Sequence, residues 1–428
     1  MVAGAGVAPL RAQQPDTAAT ATLQVNLDEA IRRALEVQPA MVQARGDSRN
    51  AGASMMASNG AFLPSITASG SSARAGGTRF DTQRNQIIQL GATTAFSASI
   101  SANLDLFTGF RRMADRRASA ATEHAADAGL VNQRFQITLQ TKQAFYNALA
   151  AAEKVGVADA QRRRAQQQLE TAVQKLHAGS ATRSDSLRSV VDLGNAQLAL
   201  LQAQADLATA EANLGRQIGV AQAVRAVPDS ALPPLPDTSG LRAAVQETAP
   251  QVLQAEAQAR AAGAQLAVAR AAYWPSLSAS LSNSFSGQDA PWVTTSTYGR
   301  GWNVGFRVSW TLFNSFQREK SVVSANVARD VAQSKADDAR RAVVAQFTQQ
   351  LAALQTAFAK LDITASNVAA ATEDLRVQQE RYRVGASTIL DILTSEASLT
   401  QALTDQVQAR FDYLVARAQL EALVGHSL

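Results

Sequence analysis

Residues Tyr382 to Gly425 read "YRVGASTILDILTSEASLTQALTDQVQARFDYLVARAQLEALVG", and residues Leu176 to Gly219 read "LHAGSATRSDSLRSVVDLGNAQLALLQAQADLATAEANLGRQIG". The two stretches align without a gap at an offset of 206 residues (425 − 219), with Gly179/Gly385, Thr182/Thr388, Asp185/Asp391, Leu187/Leu393, Asp206/Asp412, Leu214/Leu420 and Gly219/Gly425 coinciding. Each reads as the end of one long helix, a tight turn containing Gly, and a second long helix. The Thr and the Asp three residues on have capping-box spacing, with Thr as N-cap and Asp at the third helical position. The chain is therefore read as an internal duplication of this helix–turn–helix.

Working outward, the breakers bound the helices. No proline occurs from Phe110 to His177 or from Phe316 to Arg383, although Gly129 and Gly156 soften the first run. Each run, taken as one helix, is roughly 100 Å long at about 1.5 Å per residue, far longer than a globular helix. Pro39 and Pro250 open shorter helices, the first running to about Ala61. After them come "FLPSITASG" at Phe62 and "YWPSLSASL" at Tyr273, offset by 211 residues (275 − 64). The offset falls to 206 by Leu106/Leu312, which predicts a loop five residues longer (211 − 206) in the first copy. Leu27 to Leu35 reads as a short amphipathic helix.

The stretch Trp302 to Leu312 alternates throughout: Trp302, Val304, Phe306, Val308, Trp310 and Leu312 against Asn303, Gly305, Arg307, Ser309 and Thr311. Phe96 to Leu106 repeats the pattern, and shorter alternating runs begin at Ile66 and Leu277. Period two gives one apolar and one wet face. About ten residues is the length a tilted strand needs to cross a bilayer, so Trp302, Phe306 and Trp310 are expected to face lipid. A soluble two-layer sheet is the competing reading, but no second layer is available to cover it.

Composition agrees with long helices carrying narrow apolar seams. Aromatic residues are 5% of the 428, and mean hydropathy is −0.10. The net charge of +5 is too small and dispersed to suggest a nucleic-acid partner. Cysteine is absent, which excludes disulfides and thiolate metal sites. No apolar run is long enough for a membrane-spanning helix. His124, His177 and His426 lie far apart in sequence, and neither a phosphate-binding glycine loop nor an HExxH motif occurs, so no enzyme activity, metal or cofactor is expected. The expected organisation is residues 1–22 as a disordered start or the remnant of a secretory signal cleaved near Ala12, 23–226 as the first repeat, 227–240 as a Pro-rich linker, and 241–428 as the second repeat.

Each half then reads helix, strand, strand, very long helix, turn, long helix. Four strands cannot close a barrel, and open edges in lipid leave backbone groups unpaired at several kcal/mol each. Closure needs further copies, and three chains give twelve strands. Helices in such a tube have water on two sides and neighbours on two, so two narrow seams of small residues are expected on each.

The doubled "YRVGAST–LDIL" turn, the helix-to-strand junction ending "YWPSLSAS", and "FRVSWTLFNSFQRE" entering the long helix resemble the TolC family of outer-membrane efflux proteins. The resemblance covers Leu27 to Gly425, in both halves. It implies a mainly α trimeric channel-tunnel, with a 12-stranded outer-membrane β-barrel and an α-helical barrel extending into the periplasm of a Gram-negative bacterium. As function it implies a passive exit duct of a tripartite efflux or type I secretion system. The implied partners are two further copies of the chain, outer-membrane lipid, a periplasmic adaptor docking at the tips marked by Gly179 and Gly385, and an inner-membrane pump. By the resemblance, Asp185 and Tyr382 match positions whose bond holds the periplasmic end shut, and Asp391 matches the first of two acidic rings. The second ring position is Thr394, and an arginine of the family's lock falls on Ser387; Arg183 is a nearby substitute for it. Asp185 and Asp391 are equally well read as helix caps. The competing function is a periplasmic coiled-coil scaffold or adhesin stalk that never enters a membrane.

Overall fold

The computed structural model describes residues 23–222, 224–228, 232–237, 240–288 and 298–428. The start expected over 1–22 lies outside them, as do residues 229–231 and 238–239 of the linker. In chain order the elements are β1 (Leu23–Val25), α1 (Leu27–Val37), α2 (Pro39–Gly60), β2 (Ser65–Asp81), β3 (Gln86–Phe107), α3 (Arg111–His177), α4 (Arg183–Ile218), β4 (Val224–Ala226), α5 (Leu241–Thr248), α6 (Pro250–Ala271), β5 (Ser276–Gln288), β6 (Tyr298–Ser309), α7 (Gln317–Arg383) and α8 (Ile389–Val424). The lengths of the two halves match: α2 and α6 have 22 residues each, α3 and α7 have 67, and α4 and α8 have 36. None of the described helices is long and apolar enough to cross a membrane.

The chain divides into two compact units that cut across the sequence halves. One comprises residues up to Gln43, Asn132–Ala249 and Val343–Leu428; the other comprises Ala44–Val131 and Pro250–Ala342. In the first unit the helices bury heptad-spaced seams. Ala151, Ala158, Ala165 and Ala172 of α3 are all buried seven residues apart, as are Phe347 and Leu354, then Leu375 and Tyr382, on α7. Seven-residue spacing keeps each seam facing its neighbour along a long helix, and alanine lets the backbones approach closely. Phe145, Leu214, Ile218, Val224 and Phe411 belong to one apolar core cluster. Beside it, β1 and β4 pair in parallel as a two-stranded sheet. The Pro-rich linker is docked on α8: the Tyr413 hydroxyl donates to the Pro233 carbonyl (3.0 Å) and Arg417 donates to that of Pro234 (3.2 Å).

Gly219 ends α4 in the left-handed region (φ 74°), and a Cβ there would lie 2.4 Å from Val37 Cγ1. At Gly385, also left-handed (φ 78°), a Cβ would meet nothing within 4 Å. Gly385→Ala should therefore cost only the left-handed penalty of about 1–2 kcal/mol. Gly219→Ala adds a clash with α1, so its urea midpoint, followed by helical circular dichroism, is expected to fall further.

The second unit holds a four-stranded antiparallel sheet in the order β2-β3-β5-β6, with β2 and β6 each paired on one side only among the described residues. Register sets Ile66, Ala102, Leu281 and Val304 side by side in one row and Thr67, Ser101, Ser282 and Asn303 in the next. On the polar face, hydroxyl pairs Thr67–Ser101, Ser69–Ser99 and Ser71–Ser97 lie 2.7–2.8 Å apart. The other face is uncovered: Trp302, Phe306 and Val308 are 77%, 71% and 72% exposed.

Two expectations need correction here. The strands of the first hairpin are 17 and 22 residues long, not about ten, and only 82–85 separate them, so its extra length is strand and not loop. Trp310 follows the last residue of β6 and is not on a strand. Its neighbour Ser309 pairs with Ser276, the first residue of β5, and the residue before that is Pro275, which has no N–H to continue the ladder. The Trp310 indole instead donates to the Tyr273 carbonyl at 3.2 Å.

At each passage from strand to long helix the chain takes two consecutive left-handed residues, Gly109 and Phe110, then Ser315 and Phe316. Arginine braces both passages. Arg112 donates to the carbonyls of Ala61 and Leu106 and lies 5.0 Å from the Phe62 ring centroid; Arg318 donates to Thr311 and lies 4.2 Å from that of Tyr273. These donations reach carbonyls at the end of α2 and near the strand ends, where regular backbone pairing stops.

Candidate functional site

The two helical turns, 178–182 and 384–388, are flanked by the gate residues expected from the sequence, Asp185, Tyr382 and Asp391, and all three lie in the first unit. Each turn closes α3 or α7 in the same way. Gly179 N–H donates to Leu176 and Ser180 N–H to Lys175; Gly385 N–H donates to Tyr382 and Ala386 N–H to Arg381. This is the paired pattern of a Schellman ending, which requires the left-handed glycine. Both following helices open on full capping boxes. Asp185 N–H donates to Thr182 Oγ1 (3.2 Å), while the Asp185 carboxylate accepts from Thr182 N–H (3.0 Å) and its hydroxyl (2.8 Å). The Asp391 carboxylate accepts from Thr388 N–H and hydroxyl, both at 2.8 Å, with Ser387 Oγ at 2.9 Å.

These bonds act on the charges. Backbone and then side-chain donation by Thr182 holds Asp185 below the usual carboxylate range, and the corresponding donors on Thr388, joined by Ser387, do so for Asp391. Hydrogen bonds made to the ionised form favour it, so both turns carry a fixed negative charge at neutral pH. Arg183 and Thr394 are exposed.

Tyr382 ends the α7 seam and is 8% exposed, packed in a cluster with Leu375, Ile389, Ile392 and Leu399. Its hydroxyl is buried and makes no hydrogen bond to any described residue. Burial, and secondarily the charge of nearby Asp185, push the phenol pKa up. Within one chain, then, Asp185 and Tyr382 are neighbours without a hydrogen bond between them, and Asp185 is engaged by its own cap. The polar partner of Tyr382 is Lys175, whose Nζ donates to the Tyr382 carbonyl and sits 3.8 Å from the ring centroid. Sequence reasoning missed Lys175 entirely.

A second group lies further along the same helices. Glu396 of α8 is 7% exposed, and burial first, then repulsion from Asp192 of α4, raise its pKa to about 7 against the attraction of Arg164 of α3. Arg164 donates to Thr400 (3.2 Å), while its buried Nε has no partner among the described residues.

Comparison with known proteins bears on what these features serve. The sequence pattern of the outer membrane efflux protein family matches residues 30–220 and again 241–426. The outer membrane efflux protein BepC of Brucella suis is 24% identical over 411 residues, covering 95% of this chain and 86% of that protein. The outer membrane protein TolC of Escherichia coli is 23% identical over 357 residues, covering 77% and 70%. Among solved structures, the Campylobacter jejuni CmeC outer membrane channel superposes with a TM-score of 0.80 at 16% identity, over 93% of this chain and 85% of that one. With two matches that together take in most of its length, the chain belongs to the outer membrane efflux protein family.

Proposed function

We propose that the protein is a passive exit duct: three copies close a 12-stranded barrel in the outer membrane, and their long helices form a periplasmic tunnel whose mouth lies at the two turns. The observation that carries this reading is the uncovered apolar face of the β2-β3-β5-β6 sheet, which ends in two unpaired edges. Lipid on that face and neighbouring copies at the edges satisfy both. The matched element lengths of the two halves support an origin by duplication, with a twofold set of helices per chain. In this reading a periplasmic adaptor docks at the Gly179 and Gly385 tips and an inner-membrane pump supplies cargo, small molecule or polypeptide. The wall of the duct does no chemistry.

Cross-linking of the detergent-solubilised protein should reach a limit of three chains, and the purified protein should conduct ions across planar bilayers. A stable single-chain species with full β content would overturn the reading. Three copies of Asp185 and Asp391 around a narrow mouth focus a negative potential. The duct is therefore expected to prefer cations modestly, and Asp391→Asn to lower that preference, read as a shift of reversal potential in a salt gradient. If the reversal potential stays put, Asp391 acts only as a helix cap.

A further inference from the structure

We infer that Lys175 is the positioning residue of the mouth, tying the first turn of each chain to the second through the ring and carbonyl of Tyr382. This rests on the exit-duct reading for its consequence, though not for the tie itself. Lys175 lies two residues from the end of α3 and Tyr382 one from the end of α7, so their contact joins the α3–α4 hairpin to the α7–α8 hairpin. It closes the lower end of a polar seam along which α3 and α8 run antiparallel. Above it the seam has Lys142–Glu421 (2.5 Å), Glu153–Arg410 (2.8 Å), Lys154–Gln408 (2.7 Å) and Arg164–Thr400 (3.2 Å).

Three favourable terms converge on the one ammonium. It donates to a carbonyl in the last turn of α7, it sits at the negative end of that helix's dipole, and it faces the π-surface of a buried ring. The repeat makes the assignment sharper. The counterpart of Lys175 at the 206-residue offset is Arg381, which donates to the Ala386 carbonyl of its own turn. The counterpart of Tyr382 is Leu176, which has no π-face to offer. The crossing contact thus exists in one direction only. With Ser387 neutral and the Tyr382 hydroxyl unpartnered among the described residues, Lys175 supplies the cation that ties the end of α3 to the end of α7.

The test separates the tie from the duct. The chain has no cysteine, so Ala178→Cys and Val384→Cys, both exposed, take spin labels at the two turns; labelled chain is diluted with unlabelled chain and the distance distribution is measured. Lys175→Met should shift it to longer distances and Lys175→Arg should restore it. An unchanged distribution in Lys175→Met overturns the proposal. In planar bilayers Lys175→Met is expected to raise resting open probability about tenfold, between the scales of an exposed and a desolvated cation–π contact. Tyr382→Leu should match it, and Tyr382→Phe should stay near the parent. A Tyr382→Phe opening as large as that of Tyr382→Leu would place the latch in the hydroxyl and sink the idea. If the parent fails to conduct while the label distance still responds to Lys175→Met, the duct reading fails and the tie stands.

Discussion

Phe306→Arg is expected to abolish stable insertion into outer membranes, whereas Asn303→Arg on the same strand leaves it intact. Phe306 is 71% exposed on the apolar face of β6 and pairs with Ala279. Asn303 stands on the opposite face, in the row shared with Thr67, Ser101 and Ser282. An arginine near the bilayer midplane on a barrel's lipid face costs roughly 2–4 kcal/mol. Under the trimer reading that cost is borne by every copy. The polar face already carries Arg307, and if that face lines a lumen, as the barrel reading has it, one more cation there meets water. The measurement is the fraction of protein that floats with outer-membrane vesicles and resists extraction by carbonate. Equal loss for both variants would mean that the two faces of the sheet see the same environment, and the barrel reading would fall.

What was legible in the sequence is what is local. Thr182 with Asp185 and Thr388 with Asp391 form capping boxes because a threonine and an aspartate three residues apart need nothing beyond their own helix. The unbroken length of α3 and α7 follows from the absence of proline across Phe110–His177 and Phe316–Arg383, and the two helices begin within one residue of the expected Phe110 and Phe316. The strands were under-read where alternation fades. "SSARAGGTRFD" and "QIIQLGATT" lack a regular period, and backbone pairing carries them into β2 and β3 with an irregularity between Ala75 and Gly77. Three-residue strands such as β1 and β4 are too short for any periodic signal.

The site was legible in its charges but not in its contacts. Capping spacing places Asp185 and Asp391, and the family resemblance points to Tyr382, but which part of Tyr382 is engaged depends on a residue 207 positions away. The same holds for the braces. Arg112 and Arg318 obey the 206-residue offset and their aromatic platforms, Phe62 and Tyr273, the 211-residue one. Only folding brings members of the two sets together. Left-handed Phe110 and Phe316 carry no signature in sequence either, because glycine is the residue that position favours.

Glu396 supplies the second large effect, and its sign follows from linkage. With a folded-state pKa of about 7 against an ordinary 4.5, the folded protein holds this proton more tightly than the unfolded chain does. Between those two values the unfolded state binds fewer protons, so stability falls as pH rises and levels off above about 7. A gap of that size amounts to about 3 kcal/mol, present below the lower value and lost by the upper. Two charges act on Glu396 from the packed helices: Arg164 on α3 attracts the anion and Asp192 on α4 repels it, while the adjacent Ser395 donates to Asp374 on α7. Burial outweighs the arginine, whose own pKa is lowered by desolvation. Glu396→Gln should remove this pH dependence. Urea unfolding of the helices at pH 5 and pH 8 is expected to show the parent losing about 2.5 kcal/mol more than the variant over that interval. With a pKa of about 7 the parent's carboxylate is already ionised at pH 8, so the discriminating quantity is the slope between the two pH values. Equal slopes for parent and variant would show Glu396 to be ionised at both, as the ion-pair partner of Arg164, and would overturn the raised pKa.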